Sequence, residues 1–572
     1  MAIAPPQERP QAPPAGEPTL PPPEPTGLRK WASLLVLSLA LAIIIIDTTL
    51  LNVSLETLIR ELHTTIQSLQ WVISAYSLTL AALTVTGGRM GDLFGRKRMF
   101  RLGAFLFAVG SFLASISHSV PMLILGESLV EGIGAALMMP ATAALLVAKY
   151  RGHDRALAFG VWGGVAAAAS AVGPVLGGFL TTHYSWRWGF RINVFVVALL
   201  LLGSIVLGDE PVARKRKIDG PGVLLSALGL FAVVFGIIEA SSYGWVRAIK
   251  PFAPFGGSGR ELPLGGLSIV PFAIFVGLLI LAGFLLWERR VERAGGMPIV
   301  SSRILQNRRF IAGASVTGVM MLAQNGMVFS LPVFLQSVRN LDAFHTGIMF
   351  LPMSILLLVV SPTAAVLSRR IPHKRLVQTG LVVNFAALLA LRWALGVETP
   401  LSRLVPGLAL YGVGLGLVLS QINNLTLSSV PVEEAGEGSG VTNTFRQIGS
   451  ALGAAIIGSI LLTSIVGDLQ GTVAASAGIP AAEKPAIDAM LRRQSSSLAF
   501  GAGGIFDRLP PATRDEMTAA RRVATTDGNR KALLYGAGFI LLGLLVSTRL
   551  PLRAEGGYGQ GGEVKRRNAG SP

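Results

Sequence analysis

Three carboxylates in apolar surroundings are the residues best placed to do chemistry. Asp47 follows a run of Leu, Ile and Val, and Glu127 and Glu131 stand four residues apart in another apolar stretch. Residues four apart share one face of a helix, so these two would repel unless one holds a proton. An intramembrane carboxylate is a functional candidate by default. We therefore expect all three to serve proton coupling, substrate binding or both.

Structural roles are the alternative for the same three carboxylates. Asp47 could be held as a hydrogen-bond acceptor by Thr48, by Asn52 or by a neighbouring helix. Glu127 or Glu131 could pair with Lys or Arg from another helix, or Glu131 could accept a hydrogen bond from backbone.

The composition indicates that these residues lie in a membrane. Only 14% of the 572 residues are charged and 51% are apolar, whereas about 25% charged is usual for soluble domains. The 67 glycines suit close packing of membrane helices. Most cytosolic enzymes are thereby excluded, and the absence of cysteine excludes disulfides and thiolate metal sites.

Apolar stretches of about 20 residues, the length that crosses a bilayer, occur fourteen times after a tail rich in proline. Residues 1–30 form that tail, which we expect to be disordered and cytoplasmic. The predicted spans are 31–55, 70–88, 99–117, 121–147, 156–180, 188–208, 220–239, 267–287, 310–333, 345–367, 376–395, 402–424, 440–466 and 531–550.

The basic residues predict the orientation. With the N-terminus in the cytoplasm, 31 of the 49 Lys and Arg fall in inner segments, Arg446 among them, and 18 in outer ones. Cytoplasmic loops carry such an excess, so we expect both termini, including 551–572, to be cytoplasmic. This topology accounts for much of the net charge of +18 without a nucleic-acid partner, and the basic clusters lack the spaced aromatics that base stacking needs.

A long-range repeat relates two parts of the chain. Residues 88–98 align with 365–375, and 120–125 align with 405–410. Both alignments pair a span with the one eight later. We therefore expect a six-helix half at 31–208, an inserted pair of helices at 209–309 and a second six-helix half at 310–550, an arrangement typical of transporters.

Five motifs in order resemble the major facilitator superfamily, and within it the fourteen-span drug:proton antiporters. They are the cytoplasmic loop motif with Gly88, Gly91, Asp92, Gly95, Arg96 and Lys97, the antiporter motif with Gly173, Pro174, Gly177 and Gly178, and the segments 47–53, 71–76 and 185–188. The resemblance covers roughly residues 30 to 550.

This resemblance implies an all-α integral membrane protein with 14 transmembrane helices, built from two six-helix pseudo-repeats plus two inserted helices. It implies export of hydrophobic or cationic drug-like compounds against proton entry by alternating access, at the plasma membrane. The expected partners are a small amphiphilic substrate, protons and the lipid bilayer, with a monomer as the functional unit. No cofactor, metal or nucleic acid is expected.

The sequence also departs from this family. In the fourth span Glu127 and Glu131 stand where the family pattern has Arg and Gln. Glu56 and Phe195 each replace a proline. Because the resemblance assigns the missing Arg a part in proton coupling, the usual coupling scheme does not transfer unchanged.

The motifs also have a physical interpretation. Gly91 and Gly95 permit a tight turn, and Asp92 could accept charge-assisted hydrogen bonds from Arg96 or from a helix N-terminus. The segment would then be a latch between helices, although Arg96 and Lys97 could serve topology alone. The glycines of the antiporter motif present a small-residue face for close helix contact.

Polar or aromatic residues within the spans could line a cavity or could simply hold helices together. They are Trp71, Tyr76, Trp162, Gln324, Asn325, Gln336, Tyr411, Gln421, Asn424, Asn443 and Gln447.

The sequence offers no enzymatic signature. Phosphate-binding loops, zinc-protease motifs and nucleophile–base sets are absent from it, so an enzyme and an ATP-driven pump are both disfavoured. A same-fold exporter of a lipid, peptide, siderophore or sugar-type cargo stays open, as does a non-transporting membrane scaffold. The segment 467–529 is expected to be an external loop with short helices at 483–499 and 512–523, which could be a gate, a docking site or a dispensable insertion.

Overall fold

The computed structural model describes residues 28–150, 152–208, 219–249, 266–296, 298–299, 301–368, 370–430, 435–476, 479–481, 484–493 and 511–553. Within these ranges fourteen helices are long and apolar enough to cross a membrane. The only β pairing among them is one isolated bridge between Arg247 and Leu267. The predicted all-α fold with fourteen membrane helices is confirmed. Most of the predicted N-terminal tail and the C-terminal tail beyond residue 553 lie outside the described residues.

The membrane helices are numbered here as spans 1 to 14, in chain order. They run Leu28–Val53, Ile66–Phe94, Arg96–Ser115, Val120–Leu123 continued by Ile124–Glu131 and Gly132–Lys149, Gly152–His183, Arg187–Gly203, Gly220–Tyr243, Ile269–Arg293, Arg308–Ser337, Ala343–Met349 continued by Leu351–Leu367, His373–Ala394, Leu404–Leu427, Ala435–Ala475 and Pro511–Ser547. Shorter helices lie at Leu55–Glu61, Ser204–Val206, Ser302–Gln306, Leu401–Arg403 and Lys484–Arg493.

Helix packing repeats between the two halves with an offset of eight spans. In the first half, span 1 packs on span 5, span 2 on span 4, and span 3 on spans 4 and 6. In the second half, span 9 packs on span 13, span 10 on span 12, and span 11 on spans 12 and 14. Each pair in one half therefore has its counterpart in the other, as the sequence repeat predicts.

Two helix pairs join the halves. Span 2 packs on span 13, and span 5 packs on span 10, which are again equivalent pairs under the same offset. The inserted spans 7 and 8 pack on each other, and span 7 lies against spans 2 and 13. The insertion therefore lies beside the contact of spans 2 and 13, which is one of the two seams between the halves; the contact of spans 5 and 10 is the other.

How much of a span is buried depends on its position among the other helices rather than on its hydropathy. Span 9 is the most enclosed helix, with 83% of its most apolar window buried and a mean hydropathy of 1.5. Span 8 is the most apolar, at 2.8, yet only 17% of its window is buried. Lipid rather than protein must cover the remaining surface of span 8, because apolar side chains lose nothing by facing hydrocarbon.

The segment predicted as an external loop is shorter in the structure. Span 13 continues to Ala475 and span 14 begins at Pro511, so both helices extend into 467–529. The helix Lys484–Arg493 lies between them, and buried Ile487 and Leu491 join the same apolar cluster as Val473 and Met517. These helical extensions escape a hydropathy scan because only one of their faces is apolar.

Arg446 lies inside the continuous helix of span 13. The predicted span 440–466 contains it, whereas the charge count assigned it to an inner segment; the structure agrees with the predicted span. On either side of it, a Cβ on Gly440 would contact Val85 of span 2, and Gly449 lies against Gly318 of span 9. Packing on both neighbours stabilises this polar stretch as a helix.

Replacement of Gly277 by alanine should destabilise the inserted pair of spans. A Cβ there would lie 2.8 Å from the carbonyl oxygen of Gly229 and 2.8 Å from the backbone nitrogen of Val233, so spans 7 and 8 would have to separate. We expect Gly277→Ala to lose about 1–3 kcal/mol of stability in thermal unfolding. Gly283→Ala, in open space on the same helix, is the control, and equal melting of the two variants would contradict the prediction.

Candidate functional site: a buried carboxyl cluster

Span 4 contains the two predicted glutamates in an irregular segment. Ile124–Glu131 is a π-helix, and Glu127 and Glu131 both lie in it. Such segments are rare and occur often at functional sites. Glycines bring span 3 against it, since a Cβ on Gly110 would meet the backbone of Glu131, and one on Gly126 would meet the backbone of Ala114. Because the two helices approach so closely, the glutamates lie in the interior of the first half.

Asp47 of span 1 and Glu131 of span 4 meet at one amide. The side chain of Asn193 in span 6 donates from Nδ2 to Asp47 Oδ1 at 2.8 Å and lies 3.3 Å from Glu131 Oε1. Ser111 Oγ of span 3 is also 3.3 Å from the same nitrogen. Asp47 and Glu131 are themselves within hydrogen-bonding reach of each other, and two carboxyl groups can form that bond only by sharing a proton.

The cluster is enclosed and lacks a counter-ion. Asp47, Glu127 and Glu131 are each at most 2% exposed. Each keeps one oxygen without a hydrogen-bond partner, as does the nearby buried hydroxyl of Tyr76. Among the described residues none of the three carboxyls forms an ion pair. Three negative charges this close cannot persist without compensation, so protons are the compensation that the site can accept.

These contacts decide between the structural alternatives raised by the sequence. Thr48 and Asn52 bond to carbonyl oxygens of their own helix, at Ile45 and Thr48 respectively, and the neighbouring helix supplies the donor to Asp47 instead. Neither glutamate pairs with a basic residue in the described chain.

Asn193 is the residue that sequence reasoning missed. It is 3% exposed and joins carboxyls that are far apart in sequence. Its only signal was an amide in an apolar span, which is equally typical of helix packing.

The loop motif between spans 2 and 3 forms the turn that its glycines predict. Gly95 has a φ of 97°, which favours glycine, and its N–H donates to the carbonyl oxygen of Gly91 at 3.0 Å. Arg96 Nη1 donates to the carbonyl oxygen of Ala144 in span 4 at 3.3 Å. The side chain of Asp92 lies outside the described part of the chain, so its predicted role as latch acceptor stays a prediction.

Two other residues of the loop motif lie beside this turn. Gly88 is near Pro140 of span 4, where a Cβ would be 3.5 Å from the proline side chain. Lys97 follows Arg96 in the first turn of span 3.

The antiporter motif is a packing surface with two sides. A Cβ on Gly173 would meet Thr49 of span 1, and one on Gly177 would meet Leu50. On the other side, a Cβ on Gly178 would meet the carbonyl oxygen of Ala343 in span 10. Span 10 approaches in return, since a Cβ on Gly347 would meet the carbonyl oxygen of Pro174. Span 5 thus connects the helix that carries Asp47 to the second half of the protein.

Residues 185–188 stabilise the first half through contacts at the ends of its spans. These contacts lie on the side of the protein opposite the loop motif. Glu61 Oε2 accepts from Trp186 Nε1 at 2.9 Å and from Arg187 Nη1 at 2.7 Å. The Arg187 guanidinium lies 4.3 Å from the centre of the Trp186 ring. This motif joins the connection after span 1 to the start of span 6.

Glu56, which replaces a proline of the family pattern, supplies a backbone N–H. Its backbone N–H donates to Gln336 Oε1 of span 9 at 3.2 Å, and Gln336 Nε2 donates to the carbonyl oxygen of Val53 at 2.7 Å. Proline has no N–H and could not make the first bond. Burial raises the pKa of the Glu56 side chain, against the opposing positive charges of Arg60 and Arg521. Position 56 therefore links the two halves.

Comparison with known proteins identifies the family. A profile of the Major Facilitator Superfamily matches residues 37–454. The chain belongs to the major facilitator superfamily. It is 32% identical over 441 residues to the puromycin resistance protein of Streptomyces alboniger, covering 76% of this chain and 82% of the relative. It is 29% identical to the probable actinorhodin transporter of Streptomyces coelicolor, covering 92% of both chains.

Solved structures agree on the fold. A bacterial homologue of the human lysosomal transporter Spinster, in an inward-facing and unoccupied conformation, has a TM-score of 0.58 and 14% identity, covering 92% of this chain and 98% of that one. This superfamily member is therefore a multi-pass membrane transporter, and its sequence relatives include antibiotic and multidrug resistance proteins.

Loss of the bridging amide should weaken the first half. Asn193→Leu keeps similar volume but leaves Asp47 Oδ1 without its donor, which should cost about 1–3 kcal/mol in unfolding at neutral pH. Asn52→Leu is the matched control, because the Asn52 amide bonds only to its own helix. A loss for Asn193→Leu no greater than for the control would show that the bridge does not stabilise the cluster.

The raised pKa of Glu56 gives a pH dependence of stability. The folded protein binds this proton more tightly than the unfolded chain, so the wild type should lose stability as pH rises above about 4, the ordinary pKa of a glutamate. Glu56→Gln should show a shallower decrease in thermal unfolding over the same range. Glu398→Gln, at an exposed position, should match the wild type, and parallel curves for all three proteins would refute the assignment.

Proposed function

We propose that this transporter exports hydrophobic, drug-like compounds in exchange for protons by alternating access. The observation that carries the proposal is the enclosed cluster of Asp47, Glu127 and Glu131, which lacks a cation in the described structure. A group of carboxyls that needs protons to remain buried releases them when the site opens to water of higher pH. Proton occupancy and conformation are then linked.

The helix contacts supply a route from the protons to the seam between the halves. Asp47 lies on span 1, which packs against Gly173 and Gly177 of span 5. Span 5 in turn contacts span 10 through Gly178 and Gly347. A change of charge at Asp47 would therefore strain a helix whose close neighbour touches the opposite half. Close backbone packing transmits such displacements because it cannot deform continuously.

The relatives support a small organic cargo. One is named for puromycin resistance and another as a probable actinorhodin transporter. The carboxyl cluster is enclosed by spans 1, 2, 3, 4 and 6, so in this conformation it is not placed to attract a cationic cargo. Proton binding is the role that its burial supports.

We further propose that the protein acts as a monomer in the plasma membrane with both termini in the cytoplasm. The excess of basic residues in segments that would then be internal supports this orientation. The basic turn after span 2 would face the cytoplasm, and the link between Glu56 and Gln336 would lie on the external side.

The test is dye efflux driven by a pH gradient in proteoliposomes. Asp47→Asn, Glu127→Gln and Glu131→Gln keep shape but cannot ionise, so each should reduce gradient-driven efflux by about a hundredfold or more, the usual scale for losing a proton-transfer group. Exchange of dye without a gradient should persist, because a neutral cluster still permits the conformational change.

Glu398→Gln is the control for these variants, since Glu398 is exposed. Retention of wild-type gradient-driven efflux in Glu127→Gln would contradict the proposal for that residue. If all three variants retained it, the cluster would have no part in coupling.

A further inference from the structure

Arg446 is a charged residue within span 13 that the carboxyl cluster does not involve. It lies inside the stretch Gly438–Ala475, which is apolar and long enough to cross a membrane. The side chain is half-buried, and Nε is shielded without a partner. A charge inside a membrane-spanning helix is costly unless it is paired or serves a ligand.

The described residues supply no partner for this guanidinium. None of them gives it an ion pair or a hydrogen bond. One turn earlier on the helix, the Nδ2 of Asn443 is also buried without an acceptor. Residues three apart lie on the same helix face. Two unsatisfied donors therefore lie together, and the atom that they lack is an acceptor.

Neighbouring contacts show where this helix face points. Thr444 Oγ1 lies 3.4 Å from the carbonyl oxygen of Ala81 in span 2. Gly449 contacts Gly318 of span 9. Ile448 packs against the apolar cluster that spans 2, 7 and 13 form together. At about 100° per residue, Asn443 and Arg446 fall between the directions of spans 2 and 9, on the side of the helix opposite Ile448.

Ser450, one turn further, confirms this direction. Its hydroxyl lies 3.3 Å from Ser77 Oγ of span 2 and also contacts the amide of Asn325 in span 9. Spans 2 and 9 belong to opposite halves, so the face with Asn443, Arg446 and Ser450 looks into the space between the halves. A transporter of this kind binds its cargo there.

We propose that Arg446, assisted by Asn443, binds an acidic group on the exported compound, such as a carboxylate or an ionised phenol on an apolar aromatic body. This inference rests on the proposed export function and names its substrate class. Guanidinium suits the role because its donor fork binds a carboxylate through two parallel hydrogen bonds. It reverses the charge of the cationic cargo implied by the family resemblance.

The test compares fluorescent probes that share one ring system. Binding of 9-anthracenecarboxylate, 9-anthracenecarboxamide and 9-anthracenemethylamine is measured by fluorescence anisotropy with the full chain in zwitterionic nanodiscs. The wild type should bind the acid about tenfold or more tightly than the amide, the scale of one charge-assisted contact. Arg446→Gln should abolish that preference while changing amide and amine binding by less than about twofold.

Two further variants make the result specific. Arg446→Lys keeps the charge but not the fork, and should retain part of the preference. Arg392→Gln is the matched control, because Arg392 is another half-buried arginine with an unpartnered Nε but lies near the end of span 11, and it should leave the preference intact. An acid bound no more tightly than the amide, or an equal loss for all three probes, would overturn the proposal.

A lipid head group offers the same acidic chemistry, so nanodiscs with anionic lipid form a separate arm. If anionic lipid abolished the acid preference in the wild type by competition, Arg446 would be a lipid site and the proposal would fail. Equilibrium binding needs no proton gradient. Failure of gradient-driven efflux would therefore count against the proposed coupling and not against this substrate class.

Discussion

The first half of this protein depends on one constraint. Three buried carboxyl groups have no basic partner among the described residues. Asp47, Glu127 and Glu131 are buried together, and Asn193 is the amide that joins two of them. Burial at this spacing is tolerable only if protons neutralise part of the charge. The proposed proton coupling rests on this constraint.

Close helix contacts at glycines extend that local constraint to the rest of the molecule. Span 3 reaches the π-helix of span 4 through Gly110, and span 5 reaches span 1 and span 10 through the antiporter motif. At each of these contacts an added methyl group would meet the neighbouring helix. Helices held this closely move together, which is the physical basis of the proposed coupling between the carboxyl cluster and the contacts between the two halves.

The two halves have different chemistry despite their common architecture. Among the described residues, the first half encloses acids without a cation, whereas the second presents Arg446 without an anion. The acids are shut inside one half, and the guanidinium faces the space between the halves. Protons and cargo thus bind at separate sites in the proposed mechanism. Coupling of proton entry to export therefore does not require that the two compete for one carboxylate.

The sequence by itself determined the fourteen spans, the repeat, the family and the three intramembrane acids, because hydropathy, motif spacing and isolated charges are local properties that a membrane makes conspicuous. It could not show that Asn193 joins Asp47 to Glu131, that span 13 extends to Ala475, or that Arg446 Nε is buried without a partner among the described residues. Those features arise from contacts between residues far apart in the chain. Only the packed helices decide which polar side chains find partners and which are left to bind a proton or a ligand.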